Sequence, residues 1–444
     1  MNLTNTLFKQ VDNSSLVVFR ILFGLLITLE AWGAIATGWV RITLVEPDFT
    51  FNFIGFDFLQ YLQGEFMYFY FFLMGLFGVF VMLGYRYRLS IFIYTLLWTM
   101  AYLMQKSSYN NHYYLLILLC VFMLISPAHK YFSLDAKRNP SIQSISMPQW
   151  VPWFLILQIW IVYTYASIAK FYPDWLDLTF PKLLMAGKQS TPIIGDFLQT
   201  HLAHVSIKYV GILFDLLVIP LLLWKRTRLF IFIFSIFFHL FNSYVFHIGI
   251  FPYMSLAFSL FFFPPALINR LFLKRKPFYA GNEVKVPNYK PILMPFAVSW
   301  FFVQIALPVR HHFIDDDVLW TEEGHRLSWR MMLRSKHGVT SMRVVDKNTG
   351  EEKWINNSDY IKNKQYKTIV KPDGAWQYAQ VIKEDFKQKG KDVEVFAHVK
   401  ISVNGRPYKK LIDDQVDLAS VKWNYFGHNS WILPRSLNFY KKNK

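Results

Sequence analysis

The sequence predicts a membrane α-helical bundle of about nine transmembrane helices carrying a C-terminal extramembrane β-rich domain, β-sandwich-like in pattern. Three observations support this. Hydrophobic residues make up 54% and aromatic residues 19% of the 444 positions, including 44 Phe and 15 Trp, more apolar surface than a soluble core absorbs. The surplus recurs in blocks of span length, since a helix needs about 20 mostly apolar residues to cross a bilayer. After residue 309 the blocks stop and short alternating runs replace them.

In order, the apolar blocks cover residues 16 to 40, 66 to 84, 88 to 105, 111 to 128, 150 to 170, 207 to 224, 228 to 247, 248 to 264 and 291 to 309. Only Lys9 precedes the first as a basic residue, and that block contains Glu30, so it reads as a retained span and not as a cleaved signal peptide. The loops supply an independent test, because Lys and Arg favour the cytoplasmic side. Arg86 and Arg88, then Lys130, Lys137 and Arg138, then Lys225, Arg226 and Arg228, then Arg270, Lys274, Arg275 and Lys276 all fall on one side. The opposite loops carry Glu46, Asp48, Asp57 and Glu65 in the first, a lone Lys106 in the second, and Asp174, Asp177 and Asp196 in the third. The N-terminus is therefore expected in the cytoplasm, and residues 310 to 444 on the exoplasmic side of a bacterial inner membrane or an ER membrane. This topology accounts for the net charge of +18 without nucleic acid, and membrane lipid is the expected surrounding partner. The single cysteine, Cys120, excludes an intrachain disulfide or a thiolate pair.

Two domains follow: residues 1 to 309 in the membrane and residues 310 to 444 outside it. In the second, 340 to 345 and 393 to 403 alternate with period two and read as strands. Asn348-Thr349-Gly350 and Asn404-Gly405 are turn signals, and a helix is expected over residues 375 to 389. The loops at 52 to 65 and 180 to 203 mix apolar residues with charge and proline, the composition of short interfacial helices able to roof a cavity.

Ionisable groups inside spans are costly, so Arg20, Glu30, Lys170, Asp215 and His239 each require a reason. Interhelical pairing suits Glu30 and Asp215 near mid-depth, and Arg20 near the inner end can also snorkel. Lys170 ends the fifth span, where snorkelling outward is the plain alternative to function. Its neighbours favour function. Asn110, Asn111 and His112 open the fourth span at the same level, where a helix start offers free amide donors. His239, Asn242, Ser243 and His247 follow the spacing i, i+3, i+4, i+8 and share one helical face. A lone histidine on an apolar helix is ordinarily a satisfied core residue, but three helices here bring a lysine, imidazoles and amides to one depth. Apolar walls and donor dipoles would disfavour the lysine's charged form, making it a general base toward a phenol-like hydroxyl. It would be too weak for a carbon-bound proton, so a stronger base would have to arise in a later step.

At these residues the sequence resembles the vitamin K-dependent γ-glutamyl carboxylase family. The resemblance rests on Asn110-Asn111-His112-Tyr113-Tyr114-Leu115, on Ile161-Val162-Tyr163 followed by Ala169-Lys170-Phe171-Tyr172-Pro173-Asp174-Trp175, on Phe238-His239-Leu240-Phe241-Asn242-Ser243 continuing through Ile248 to Tyr253, and on Leu327-Ser328-Trp329-Arg330-Met331-Met332. The segments keep their order and spread over most of the chain. The resemblance implies that Lys170 deprotonates reduced vitamin K, a naphthohydroquinone, and that O2 then yields the strong base and the epoxide. CO2 adds to the deprotonated glutamate of a peptide or protein substrate, and no metal is required. Asn110, Asn111 and His112, with His239 and Asn242, would hold the cofactor, and Ser328 and Trp329 would meet the glutamate substrate. Two departures stand out: Ala169 replaces a second lysine found in animal members, and those members extend well beyond this chain and carry disulfide cysteines, which points to a bacterial-type homologue.

Other functions fit parts of the pattern. A membrane peptide-binding or maturation factor would use the β-rich domain for capture and the spans as an anchor, and an epoxidase uncoupled from carboxylation would keep only the first half of the chemistry. A transporter is disfavoured because paired broken helices and inverted repeats are not evident.

Overall fold

The computed structural model describes residues 3–435. Its membrane-type region contains helices α1 (Ser14–Ala36), α2 (Phe66–Leu83), α3 (Tyr87–Met104), α4 (Asn111–Ile125), α5 (Trp150–Ile168), α6 (His201–Leu223), α7 (Arg228–Phe246), α8 (Phe251–Phe258), α9 (Pro265–Phe272) and α10 (Lys290–Val309). Six of them, α1, α2, α5, α6, α7 and α10, are long and apolar enough to cross a membrane. A seventh crossing is counted if α8, extended to Phe261, and α9 form one span bent by 116°. The sequence had suggested nine. Pro264 and Pro265 account for the bend, because proline restricts the residue before it to extended backbone and opens a new helix at its own first turn. α4 is only 15 residues long, and α3 carries Arg88, Thr95, Thr99 and four tyrosines or serines that dilute its hydropathy. Both nevertheless lie within the bundle, antiparallel and side by side. Tyr87 at the start of α3 donates to the carbonyl of Met123 at the end of α4 (2.8 Å), and Trp98 donates to the carbonyl of Tyr113 at its start (3.2 Å).

Close helix approach is set by small residues, as membrane bundles require. A Cβ on Gly78 of α2 would lie 2.5 Å from the Thr28 hydroxyl of α1, so only glycine admits this contact. The ionisable residues inside the bundle are held. Arg20 is buried and donates to the carbonyls of Ala128, Tyr131 and Phe132, so it ties down a loop and does not snorkel. Glu30 faces Tyr113. Strand β1 (Gln10–Asp12) pairs antiparallel with β2 (Ser146–Pro148), and buried Lys276 reaches Asp12 at 2.6 Å, joining three distant stretches of chain at one end of the bundle.

The C-terminal part has a core of its own. Strands β3 (Lys336–Asp346), β4 (Glu352–Trp354), β5 (Val393–Val403) and β6 (Lys409–Lys410) form one antiparallel sheet in the order β4-β3-β5-β6. β3 and β5 pair along their full length, from Lys336 opposite Val403 to Asp346 opposite Val393. Helix α11 (Pro372–Gln388) covers the apolar face with Ala375, Tyr378, Ala379 and Ile382, against Val395, Ala397 and Val399 of β5. A second sheet is therefore not needed, and the β-sandwich-like expectation is replaced by a single sheet backed by a helix. Both turns fall where expected: Gly350 adopts φ +70° between β3 and β4, and Asn404 and Gly405 adopt φ +54° and +73° between β5 and β6.

Two ionic contacts clamp this part onto the bundle. Asp373 at the start of α11 receives both Lys106, from the α3–α4 loop, and Arg326 (2.7 Å). Arg406 and Asn404 of the β5–β6 turn both reach Asp174, four residues beyond Lys170. Burial alone would raise the Asp373 carboxyl, but Arg326 and Lys106 together hold it well below the usual carboxylate range. Burial pushes Lys106 down to about 8 despite its carboxylate partner. The asymmetry has a cause: one carboxylate serves two cations, so the anion is fully compensated and the ammonium only partly. Asp373→Ala would leave two cations unpaired at a buried site, and we expect a loss of about 3–5 kcal/mol in thermal or denaturant unfolding. Because the folded carboxyl is depressed, the contribution of Asp373 should be complete above about pH 4 and disappear as pH falls through the lowered value, which a pH series of melting curves on parent and variant would show.

Candidate active site

Lys170 stands two residues beyond the end of α5, and its side chain turns back along that helix. Its Nζ donates to the carbonyl of Ala166 (2.9 Å) and to Oδ2 of Asp215 on α6 (2.6 Å). Both side chains are largely buried, at 9% and 11% exposure. Gly211, one turn before Asp215, makes the approach possible: a Cβ there would come within 3.1 Å of the Trp175 ring and 3.7 Å of the lysine stem. The Trp175 ring lies 5.6 Å from Nζ, and Ser167 donates to the carbonyl of Ile212 (2.9 Å), fixing α5 against α6. The sequence suggested a lysine among apolar walls and donor dipoles alone. The structure corrects this: a carboxylate sits in direct contact and stabilises the ammonium.

Beside Nζ lies a cavity of about 350 Å³, lined by Lys170, Asp215, Tyr163, His112, His239 and Asn242 within a wall of phenylalanines from α7 and Phe251 of α8. This is the size range of small-ligand sites. Leu184, Phe197 and Leu198, from the short helices Thr179–Ala186 and Gly195–Leu198, also line it, as the interfacial composition of that loop had suggested. His239 is buried, and its Nε2 lies 3.1 Å from the Tyr163 hydroxyl. A phenol donating to Nε2 places the imidazole hydrogen on Nδ1, and that atom has no hydrogen-bond partner. A buried donor without a partner, in a residue that lines a cavity, is suited to receive a ligand oxygen. The ring of His112 stacks on Phe251 with centroids 4.0 Å apart, and the same two residues also line a second chamber of about 540 Å³ that includes Asn110, Lys188 and His247.

The roof comes from the C-terminal part. Met331 and Met332 line the cavity, at the end of a segment in which Leu327, Trp329 and Met332 hold left-handed φ values of +59°, +56° and +51°. Three such residues in six are costly unless their surroundings fix them. Trp329 is completely buried and stacks on Tyr114 of α4, with centroids 5.1 Å apart. Ser328 donates to the carbonyl of Gly324 (2.6 Å), Asn111 donates to that of Arg330 (3.0 Å), the Tyr109 hydroxyl accepts from the Leu327 amide (2.6 Å), and Tyr172 donates to the carbonyl of Leu333.

Of the residues singled out in the sequence, Lys170, His112, His239 and Asn242 meet in the cavity. Asn110 caps α4 by accepting from the Tyr113 amide (2.8 Å) and faces only the second chamber, while Asn111 holds the roof. Ser328 and Trp329 lie behind the roof with no free surface. Ser243 contacts Tyr253 and His247 faces the second chamber, so the shared helical face does not carry all four of its polar residues into one site. Asp215 as the partner of Lys170, Tyr163 as the partner of His239, and the two methionines were not assigned from sequence. Only the presence of an aspartate within a span pointed toward the first.

Residues 8–266 match the HTTM domain, and residues 289–438 match the vitamin K-dependent gamma-carboxylase lumenal domain. The chain belongs to the vitamin K-dependent gamma-carboxylase family. No solved structure matches it. This carboxylase-family member is thus an integral membrane protein whose C-terminal sheet is a lumenal-type domain, and its Met331 and Met332 complete a cavity otherwise built from the helical region. Because the only native cysteine, Cys120, is fully buried, a Met331→Cys reporter can test the roof. It should be protected from a membrane-impermeant maleimide in the parent and labelled once Trp329→Ala removes the stack on Tyr114, a truncation costing about 3–5 kcal/mol.

Proposed function

We propose that this member is a peptidyl-glutamate γ-carboxylase that epoxidises a reduced naphthoquinone, with Lys170 as the base and O2 and CO2 as co-substrates. The observation that carries the reading is a buried amine, paired to a carboxylate, at the wall of an aromatic-lined cavity. The residues present fit a flat bicyclic hydroquinone: the walls are apolar and aromatic, and the unpartnered Nδ1 of His239 offers a donor to a ring oxygen. Bound there, the reduced naphthoquinone with O2 would supply the strong base that removes the γ-proton of a glutamate and leave as its epoxide.

The chain's own residues do the rest. Lys170 takes the hydroxyl proton at Nζ, and the resulting ammonium stays beside the oxyanion it has created, where a low dielectric strengthens the attraction. His239 and Asn242 orient the ring oxygen, and His112 stacked on Phe251 bounds the ring's far side. Met331 and Met332, in the segment held by Ser328 and Trp329, cover the cavity from the side of the lumenal-type domain. On this reading Ser328 and Trp329 serve the glutamate substrate by shaping the roof it must approach. The membrane domain ends near residue 309, the N-terminus is cytoplasmic, and the lumenal-type domain is exoplasmic, with α3 and α4 crossing alongside the longer helices.

Protein in lipid nanodiscs, supplied with phylloquinol, O2, labelled bicarbonate and a glutamate peptide, should form epoxide. Lys170→Ala should lower the rate by about 10²–10⁴-fold. Epoxide at the parental rate in Lys170→Ala would overturn the assignment, and the presence or absence of label in the peptide separates a carboxylase from an uncoupled epoxidase.

A further inference from the structure

A base that begins as an ammonium must first lose a proton, and the cavity offers it one acceptor. Nζ of Lys170 lies 2.6 Å from Oδ2 of Asp215, and its other hydrogen bond is to a carbonyl, which cannot take a proton. The remaining ionisable groups around the cavity are His112 on α4, Tyr163 on α5 and His239 on α7. The imidazole of His239 is engaged with Tyr163, and His112 is stacked on Phe251. Trp175 and the methionines of the roof do not titrate. The Asp174 carboxylate, near in sequence, is occupied by Arg406 and Asn404.

We infer that Asp215 is the proton-holding and positioning partner of Lys170: it receives the ammonium proton on Oδ2, so that the amine is freed without exchange with bulk water. This rests on the reading of Lys170 as base. The steps balance. One N–H bond of the ammonium breaks as an O–H bond forms on Asp215, with no change in net charge. The free amine then takes the hydroxyl proton of the hydroquinone, becoming ammonium again beside a neutral carboxylic acid. The proton returns to the pair's surroundings when the carboxyl ionises at the end of the cycle. Geometry supports the exchange: both side chains are nearly enclosed, Gly211 leaves room for the lysine stem, and the Ser167 contact to Ile212 fixes the spacing of α5 and α6.

The test compares the parent with Asp215→Asn, Asp215→Glu and Lys170→Ala, each first shown by thermal melting to be folded. Asp215→Asn keeps a hydrogen-bonding group but cannot take the proton. We expect its epoxide formation at neutral pH to fall by about 100-fold. Its remaining rate should climb with pH along a single ionisation, because the ammonium must now release its proton to solvent, whereas the parental rate is level over the same interval. A merely structural role would lower the rate equally at every pH. The second readout does not require turnover: under anaerobic conditions, adding phylloquinol should produce the infrared C=O band of a protonated carboxyl in the parent and in Asp215→Glu, and no such band in Asp215→Asn. Should Asp215→Asn be inactive at every pH, the infrared measurement decides alone. An unchanged pH profile, or a band that survives in Asp215→Asn, overturns the inference. If at the same time Lys170→Ala is inactive, the base assignment stands without it; if Lys170→Ala turns over at the parental rate, the base assignment itself has failed.

Discussion

A charged amine placed against apolar rings is stable only if something repays its lost hydration, and at this site the repayment comes from one carboxylate 2.6 Å away. That contact constrains much else. It fixes the rotation of α6 about its axis, since Asp215 must face α5. It favours a small residue at position 211, where a Cβ would come within 3.1 Å of the Trp175 ring. The other polar groups line the same cavity: the Tyr163–His239 pair, and His112, whose ring shares Phe251 as a neighbour with His239. Removing either charge while keeping the other would leave an ion buried alone, so the two positions function as a unit.

The lumenal-type domain is built to hold that arrangement closed. Its sheet and helix form a separate core, yet two of its ionic contacts to the bundle land next to the site: Asp174 follows Lys170 by four residues, and Lys106 leads into the α4 start that carries Asn111 and His112. Strain in the roof is supported in the same way. The left-handed residues Leu327 and Trp329 are retained because the Tyr109 hydroxyl, the Asn111 amide and the Tyr114 ring each grip the segment from the membrane side. The domain is thus coupled to the cavity by position.

How much of this was legible in the sequence depends on the range of the interaction. Strand β5 lies at the residues where alternation placed it, and the two turns of the sheet are where Asn and Gly supply left-handed backbone, because period and turn chemistry are local. Helices α3 and α4 were read as spans, and helices stand there, but polar dilution in one and short length in the other leave them outside the set long and apolar enough to cross. The sandwich expectation failed because the amphipathic face of α11 says that something is covered without saying what. Lys170 and His239 were legible because they are anomalies in an apolar run. Their partners Asp215 and Tyr163 were not assigned, because pairing depends on helix rotation and only the packed bundle fixes it.

The distribution of irregularities argues that the cavity is the functional centre of the molecule. At other places local preference agrees with the fold, as in the small-residue contact of α1 with α2, the proline opening α11 and the alternating β5. Around one cavity the rules are broken together, by a buried ion pair, an imidazole nitrogen with no partner and a non-glycine roof segment in left-handed conformation. Each costs stability where it stands, and together they are tolerated only because the surrounding helices and the clamped domain overdetermine the geometry. The junction between bundle and sheet is made by the Asp373 and Asp174 contacts, which lie outside the cavity wall. The ion pair and the imidazole belong to residues that line an apolar space, and the proposed proton transfer gives a reason for placing them there.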